Sequence, residues 1–110
     1  MGILNRIFGR KNFDERLFGI WISDTNDEIT KKAIGDTSMT FTEDGKLIYD
    51  VLESEKIQRI NMIYWTEGDI IFTDQPSNPR EEKTQYSFPN KDNLLLSFGG
   101  QLTRFNKKKI

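Results

Sequence analysis

A chain of 110 residues with 35% hydrophobic content carries enough apolar material for one compact domain and argues against a second. Sixteen basic residues against seventeen acidic ones leave a formal charge of -1, with no long run of one sign before the last few residues, so the charges read as a mixed, solvated surface and nucleic acid is not an expected partner. Cysteine and histidine are both absent, which excludes disulfides, thiolate metal sites, a cysteine nucleophile and the commonest general base.

Residues 1–11 place Ile3, Leu4, Ile7 and Phe8 on one face of a short amphipathic helix and Asn5, Arg6, Arg10 and Lys11 on the other. The segment is too short to span a bilayer and lacks the basic start, apolar centre and small-residue cleavage site of a secretion signal, so a cytoplasmic location is expected, with packing on the domain favoured over membrane contact. Residues 12–110 then read as a single domain. Asn12 followed by Glu15 predicts a capped turn over Phe13 to Leu17. A first strand follows, in which Gly19 and Trp21 share a side and the glycine makes room for the indole. Thr25 and Glu28 repeat the capping signal, Ile29, Ala33 and Ile34 share one face of the short helix that follows, and Gly35 sits at its stop.

From Thr37 onward the apolar period becomes two, cut at short intervals by turn chemistry. Met39 and Phe41 precede Asp44-Gly45, and Leu47, Tyr49 and Val51 precede the polar residues 53–56. Ile60, Met62 and Tyr64 lead to Gly68-Asp69, after which Ile70 and Phe72 alternate until Pro76 and Pro79 break the run. Tyr86 and Phe88, then Leu94, Leu96 and Phe98, and, after Gly99-Gly100, Leu102, Arg104 and Asn106 complete the pattern. Eight short strands joined by tight turns, with one helix-sized interruption, predict an all-β fold: an eight-stranded antiparallel up-and-down barrel, favoured over a two-sheet sandwich, which needs longer crossings.

The short turn, Gly19-x-Trp21 opening the first strand, the longer capped connection to the second and Arg104 in the last strand together resemble a small lipocalin-like (calycin) barrel. The resemblance spans Phe13 to Asn106. It implies that Trp21 lies across the closed end with the Arg104 guanidinium packed over its ring, a contact of ~0.5–2 kcal/mol. The chain departs from the lipocalin pattern in two places: Thr73-Asp74-Gln75 falls earlier than the family's late Thr-Asp-Tyr element, and the last strand ends in Lys107-Lys108-Lys109-Ile110 where lipocalins carry a helix. Without histidine, haem ligation of the kind some calycin-type barrels use is excluded.

No catalytic constellation emerges, because the serines lack a partner base, no glycine-rich phosphate loop occurs, and Asp24, Asp27, Asp36, Asp44, Asp69 and Asp74 sit at turns and caps. A calcium loop is also missing. The chain therefore reads as a non-enzyme with no cofactor and no metal. If Trp21 faces inward, alternation sends Met39, Phe41, Tyr49, Met62, Tyr64, Phe72, Tyr86 and Phe98 inward as candidate ligand-binding residues, together with Phe88 and Leu96, while Ile29, Ala33 and Ile34 become a candidate lid and Gly19, Trp21 and Arg104 a structural trio. The three tyrosines need partners for their hydroxyls, which suggests a wetted cavity or an open mouth.

Two functions follow. One is binding of a small hydrophobic or amphipathic ligand inside the barrel. The alternative is a protein-interaction or inhibitor module with a filled core, supported by the outward set Ile20, Ile22, Ile48, Ile63, Trp65, Ile71, Leu95 and Phe105. The expected assembly is a monomer or weak homodimer. In a barrel closed by pairing of the last strand with the first, Ile20, Ile22 and Phe105 would form an outer stripe on which the helix of residues 1–11 docks, in its own chain or on a neighbour.

Overall fold

The computed structural model describes residues 12–109, which form a closed antiparallel barrel. A 3-10 turn, Glu15–Leu17, precedes β1 (Gly19–Ser23), α1 (Glu28–Ile34), β2 (Thr37–Phe41), β3 (Lys46–Glu53), β4 (Lys56–Glu67), β5 (Ile70–Asp74), β6 (Glu82–Asn90), β7 (Asn93–Phe98) and β8 (Gln101–Lys107). Each strand pairs with its sequence neighbours, and β8 closes on β1 through Trp21↔Lys107, Ile22↔Asn106 and Ser23↔Phe105. Closure leaves no unpaired edge among these strands, which is the physical gain of the architecture. The expected eight-stranded up-and-down barrel is the observed fold.

Both helical caps differ from expectation. Asp14, rather than Asn12, caps the 3-10 turn by accepting a bond from the Arg16 amide at 3.0 Å, and Asn12 instead bridges Thr66 of β4. Asp27, rather than Thr25, caps α1, accepting from the Thr30 amide at 3.2 Å. A cap has to stand directly before the first helical residue, and Thr25 is two positions too early. Gly35 ends α1 as expected. The Asp44-Gly45 pair belongs to a three-residue turn, because Phe41 pairs with Leu47 and the Thr42 amide donates to the Lys46 carbonyl at 2.9 Å. Gly45 is required there: its φ is +87°, and an added Cβ would stand 2.8 Å from the Phe13 ring.

Two of the tight turns decide which side chains enter the barrel. Across a two-residue turn the flanking residues pair directly, so an odd-numbered residue always faces an even-numbered one, and direct partners share a face of the sheet. Gly68-Asp69 joins Glu67↔Ile70, which sets Tyr64 opposite Thr73, Thr66 opposite Ile71 and Trp65 opposite Phe72. With Tyr64 buried, Ile71 and Thr73 turn inward, and Phe72 moves to the outer wall, stacked on Trp65 at 5.4 Å between ring centroids. Gly99-Gly100 joins Phe98↔Gln101, which sets Leu96 opposite Thr103, Leu94 opposite Phe105 and Leu95 opposite Arg104. Thr103 and Phe105 are therefore core residues and Arg104 lies outside. Phe72 and Arg104 were expected inside, and Ile71 and Phe105 outside; all four are reversed.

The buried cluster comprises Leu17, Trp21, Met39, Phe41, Leu47, Tyr64, Ile71, Tyr86, Leu94, Leu96 and Phe105. Pro89, which cannot donate to the ladder, is accommodated where the β6–β7 register shifts between Ser87 and Asn90. α1 lies against β8 and β1. Its anchor is Thr30, whose buried hydroxyl donates to the Asp27 carboxylate at 2.6 Å and accepts from the Arg104 amide at 2.8 Å. The helix of residues 1–11 and its docking lie outside the described residues. The outer stripe expected to receive it loses Phe105 to the core, leaving Ile20 half-buried and Ile22 exposed.

Candidate functional site

The up-and-down path divides the barrel into two ends. The 3-10 turn and the β2–β3, β4–β5 and β6–β7 turns gather at one end, while α1, the β3–β4 and β7–β8 turns and the proline-containing β5–β6 loop gather at the other.

The first end is plugged. Phe13 meets Tyr64 at 5.4 Å, Tyr64 meets Phe41 edge-on at 5.0 Å, and Phe88 lies between Tyr86 and Trp21 at 5.8 Å from each. Three polar tips are satisfied within this plug: Trp21 Nε1 donates to the Leu17 carbonyl at 2.9 Å, the Tyr64 hydroxyl to the Thr42 carbonyl at 2.8 Å, and the Tyr86 hydroxyl to the Asp14 carboxylate at 2.7 Å. Arg16 pairs with Asp14 at 2.6 Å and lies 4.5 Å over the Phe88 ring. Its hydrogen bonds hold the Asp14 carboxyl below the usual range, with the Tyr86 hydroxyl assisting.

A cation does cover Trp21, but it is Lys107, whose Nζ sits 4.7 Å from the ring and donates to the Phe18 carbonyl. Lys107 is the direct register partner of Trp21, whereas Arg104 points to the outer wall, where its charge helps to hold the Asp27 carboxyl low after the Thr30 hydrogen bonds. Gly19 serves the same contact: at φ +118°, an added Cβ would stand 3.1 Å from Lys107 Nζ. The glycine thus makes room for the ammonium rather than for the indole.

Two buried phenols in the plug predict a pH effect. Burial, reinforced by nearby acidic charge, pushes Tyr64 and Tyr86 from 10.0 up to about 12. Their contribution to stability is complete below the unfolded value and is lost as pH rises through the folded one, because in that window the unfolded chain has released protons that the fold retains. Denaturant midpoints should hold steady up to about pH 10 and then fall. The Tyr64→Phe, Tyr86→Phe double variant should show a much shallower fall, and an undiminished one would exclude these phenols as its source.

The other end holds a cavity of about 190 Å³. Met39, Phe41, Leu47, Met62, Ile71 and Leu96 form its apolar wall, and Tyr49, Thr73, Gln75, Glu82 and Thr84 supply polar groups, with Ile60 completing the lining. Burial pushes the Tyr49 phenol above its ordinary value. Of the eight residues expected to bind a ligand, Met39, Phe41, Tyr49 and Met62 line this space. Tyr64 and Tyr86 belong to the plug, Phe72 is on the outer wall, and the Phe98 side chain lies outside the described residues. The lid expected from Ile29, Ala33 and Ile34 is not formed: Ile29 and Ala33 are exposed, Ile34 packs on the core cluster, and none lines the cavity. The face of α1 that meets the barrel carries buried Thr30 and half-buried Ile34, while Ile29 and Ala33 turn to solvent.

Seven lining residues escaped the sequence reading: Ile71, expected on the outer wall, and Leu47, Ile60, Thr73, Gln75, Glu82 and Thr84. The signal for the last two was alternation counted backward from Tyr86. Among the described residues no cluster of acidic side chains has metal-binding form, and no helix is long and apolar enough to cross a membrane.

These features define a closed eight-stranded barrel plugged at one end and hollow towards the other. The chain shows no match to a family model, to a curated protein or to a solved structure.

Proposed function

We propose that this protein is a lipocalin-like (calycin) binder that takes one small apolar or amphipathic molecule into the barrel. The carrying observation is the position of the void: aromatic packing and satisfied hydroxyls fill one end, while an apolar space of about 190 Å³ remains at the other. An apolar cavity of ~150 Å³ already accepts benzene and stays dry without it, so a space of this size suits a compact guest. Binding, with no catalytic step, is the activity that such a lining supports.

An environment-sensitive lipophilic dye small enough for the space should bind the folded protein and be displaced by compact apolar competitors. Met62→Trp, which fills the cavity from its half-buried wall, should abolish dye binding while leaving a cooperative unfolding transition. Intact protein that binds neither dye nor competitor would favour the second reading, a protein-interaction module. One observation supports that reading: Leu52 and Ile57, paired directly near the tip of the β3–β4 hairpin, are 49% and 63% exposed.

A further inference from the structure

We infer that the cavity selects a compact amine over a carboxylate, and thus that its ligand is a ring-sized molecule bearing a protonated nitrogen; this rests on the binding function proposed above. Among the described residues Glu82 is the one acidic residue of the cavity lining, and neither lysine nor arginine contributes to that lining. Its placement is built into the fold. Glu82 opens β6 opposite Thr73, with Thr84 and Tyr86 following on the same inward face, so its carboxylate stands at the rim above the apolar wall. Phe41 and Tyr49 also contribute aromatic rings to the same lining, and an aromatic ring attracts a cation over its face.

The cations nearby are directed elsewhere. Lys83, the next residue, lies 5.7 Å from the outer-wall Phe72 ring. Arg80 approaches Glu82 at 3.7 Å from solvent, with side chains 77% and 58% exposed respectively, a loose contact that a bound ammonium would displace readily. The Arg80 amide is meanwhile tied at 2.8 Å to the carboxylate of Asp74, which pairs with Ile63 on the outer face of the sheet. A fatty carboxylate would meet Glu82 without a lining cation to neutralise it, and a long chain would exceed a space of about 190 Å³.

Calorimetric titration of the full chain with 2-phenylethylamine, 2-phenylethanol and phenylacetate at low salt separates the possibilities. The amine should bind about two- to fivefold more tightly than the alcohol, the gain expected of an exposed ion pair, and phenylacetate should bind weakest. Glu82→Gln should remove the advantage of the amine over the alcohol, and a cooperative urea unfolding transition shows that the variant is folded. Arg80→Ala should enlarge the advantage. Phenylacetate binding as tightly as the amine, or an unaltered order in Glu82→Gln, would overturn the inference while leaving the cavity function standing. Failure of all three, the alcohol included, would remove the binding function itself.

Discussion

Trp21→Ala is expected to lower stability by about 3–5 kcal/mol, the range for truncating a fully buried aromatic residue whose site cannot collapse. Collapse is prevented because Trp21 touches several rigid parts at once: its indole nitrogen is bonded to the Leu17 carbonyl, Phe88 lies at 5.8 Å, and Lys107 covers the ring. Removing the indole therefore opens a void, orphans a carbonyl and uncovers a partly buried ammonium whose pKa burial has already lowered. Lys107→Ala should cost less, on the order of 1 kcal/mol, because the cation–π contact is the main loss. The two changes should couple by ~0.5–2 kcal/mol in a double-mutant cycle on denaturant midpoints. Simple additivity would mean that the ammonium does not recognise the ring.

The second large effect separates neighbouring residues in β8. Phe105 is completely buried and pairs with Leu94, whereas Arg104 is on the outer wall opposite Leu95. Phe105→Ala should cost about 3–5 kcal/mol. Arg104→Ala should change stability by no more than about 0.5 kcal/mol, since the bond from residue 104 to Thr30 uses the backbone amide and survives the substitution. Unfolding curves of the two variants in urea, at a common pH, decide the matter. A larger loss from Arg104→Ala than from Phe105→Ala would require β8 to be turned over by one residue.

That one-residue question explains the sequence reading's errors. In β5, Ile70, Ile71 and Phe72 are consecutive and apolar, so alternation had no contrast from which to choose a face. In β8, Leu102 and Phe105 lie on opposite faces and Thr103 is buried, which again leaves the pattern undecided. The choice was legible elsewhere. Gly68-Asp69 and Gly99-Gly100 each form a two-residue turn, and such a turn cannot pair Tyr64 with Phe72, or Leu96 with Arg104, on one face. Propensity for burial outweighed register, and register decides.

The inner faces of β2 and β3 were legible because a wet outer face supplied contrast: Met39, Phe41 and Tyr49 alternate with Ser38, Thr40 and Asp50. Alternation counted backward from Tyr86 gives Glu82 an inward position, but a charged side chain after a proline-containing loop reads as solvated surface until the ladder places it opposite Thr73.

The sequence by itself determined the number of strands, their antiparallel order and the closure of the barrel, because short period-two runs separated by glycine, asparagine and proline turns leave few other ways to bury one face of each strand. Only the tertiary structure decided which cation covers Trp21 and which end of the barrel is hollow. Both depend on contacts between residues distant in the chain, such as Trp21 with Lys107 and Asp14 with Tyr86. Such pairings follow from register summed around the barrel, a quantity that no local window of sequence contains.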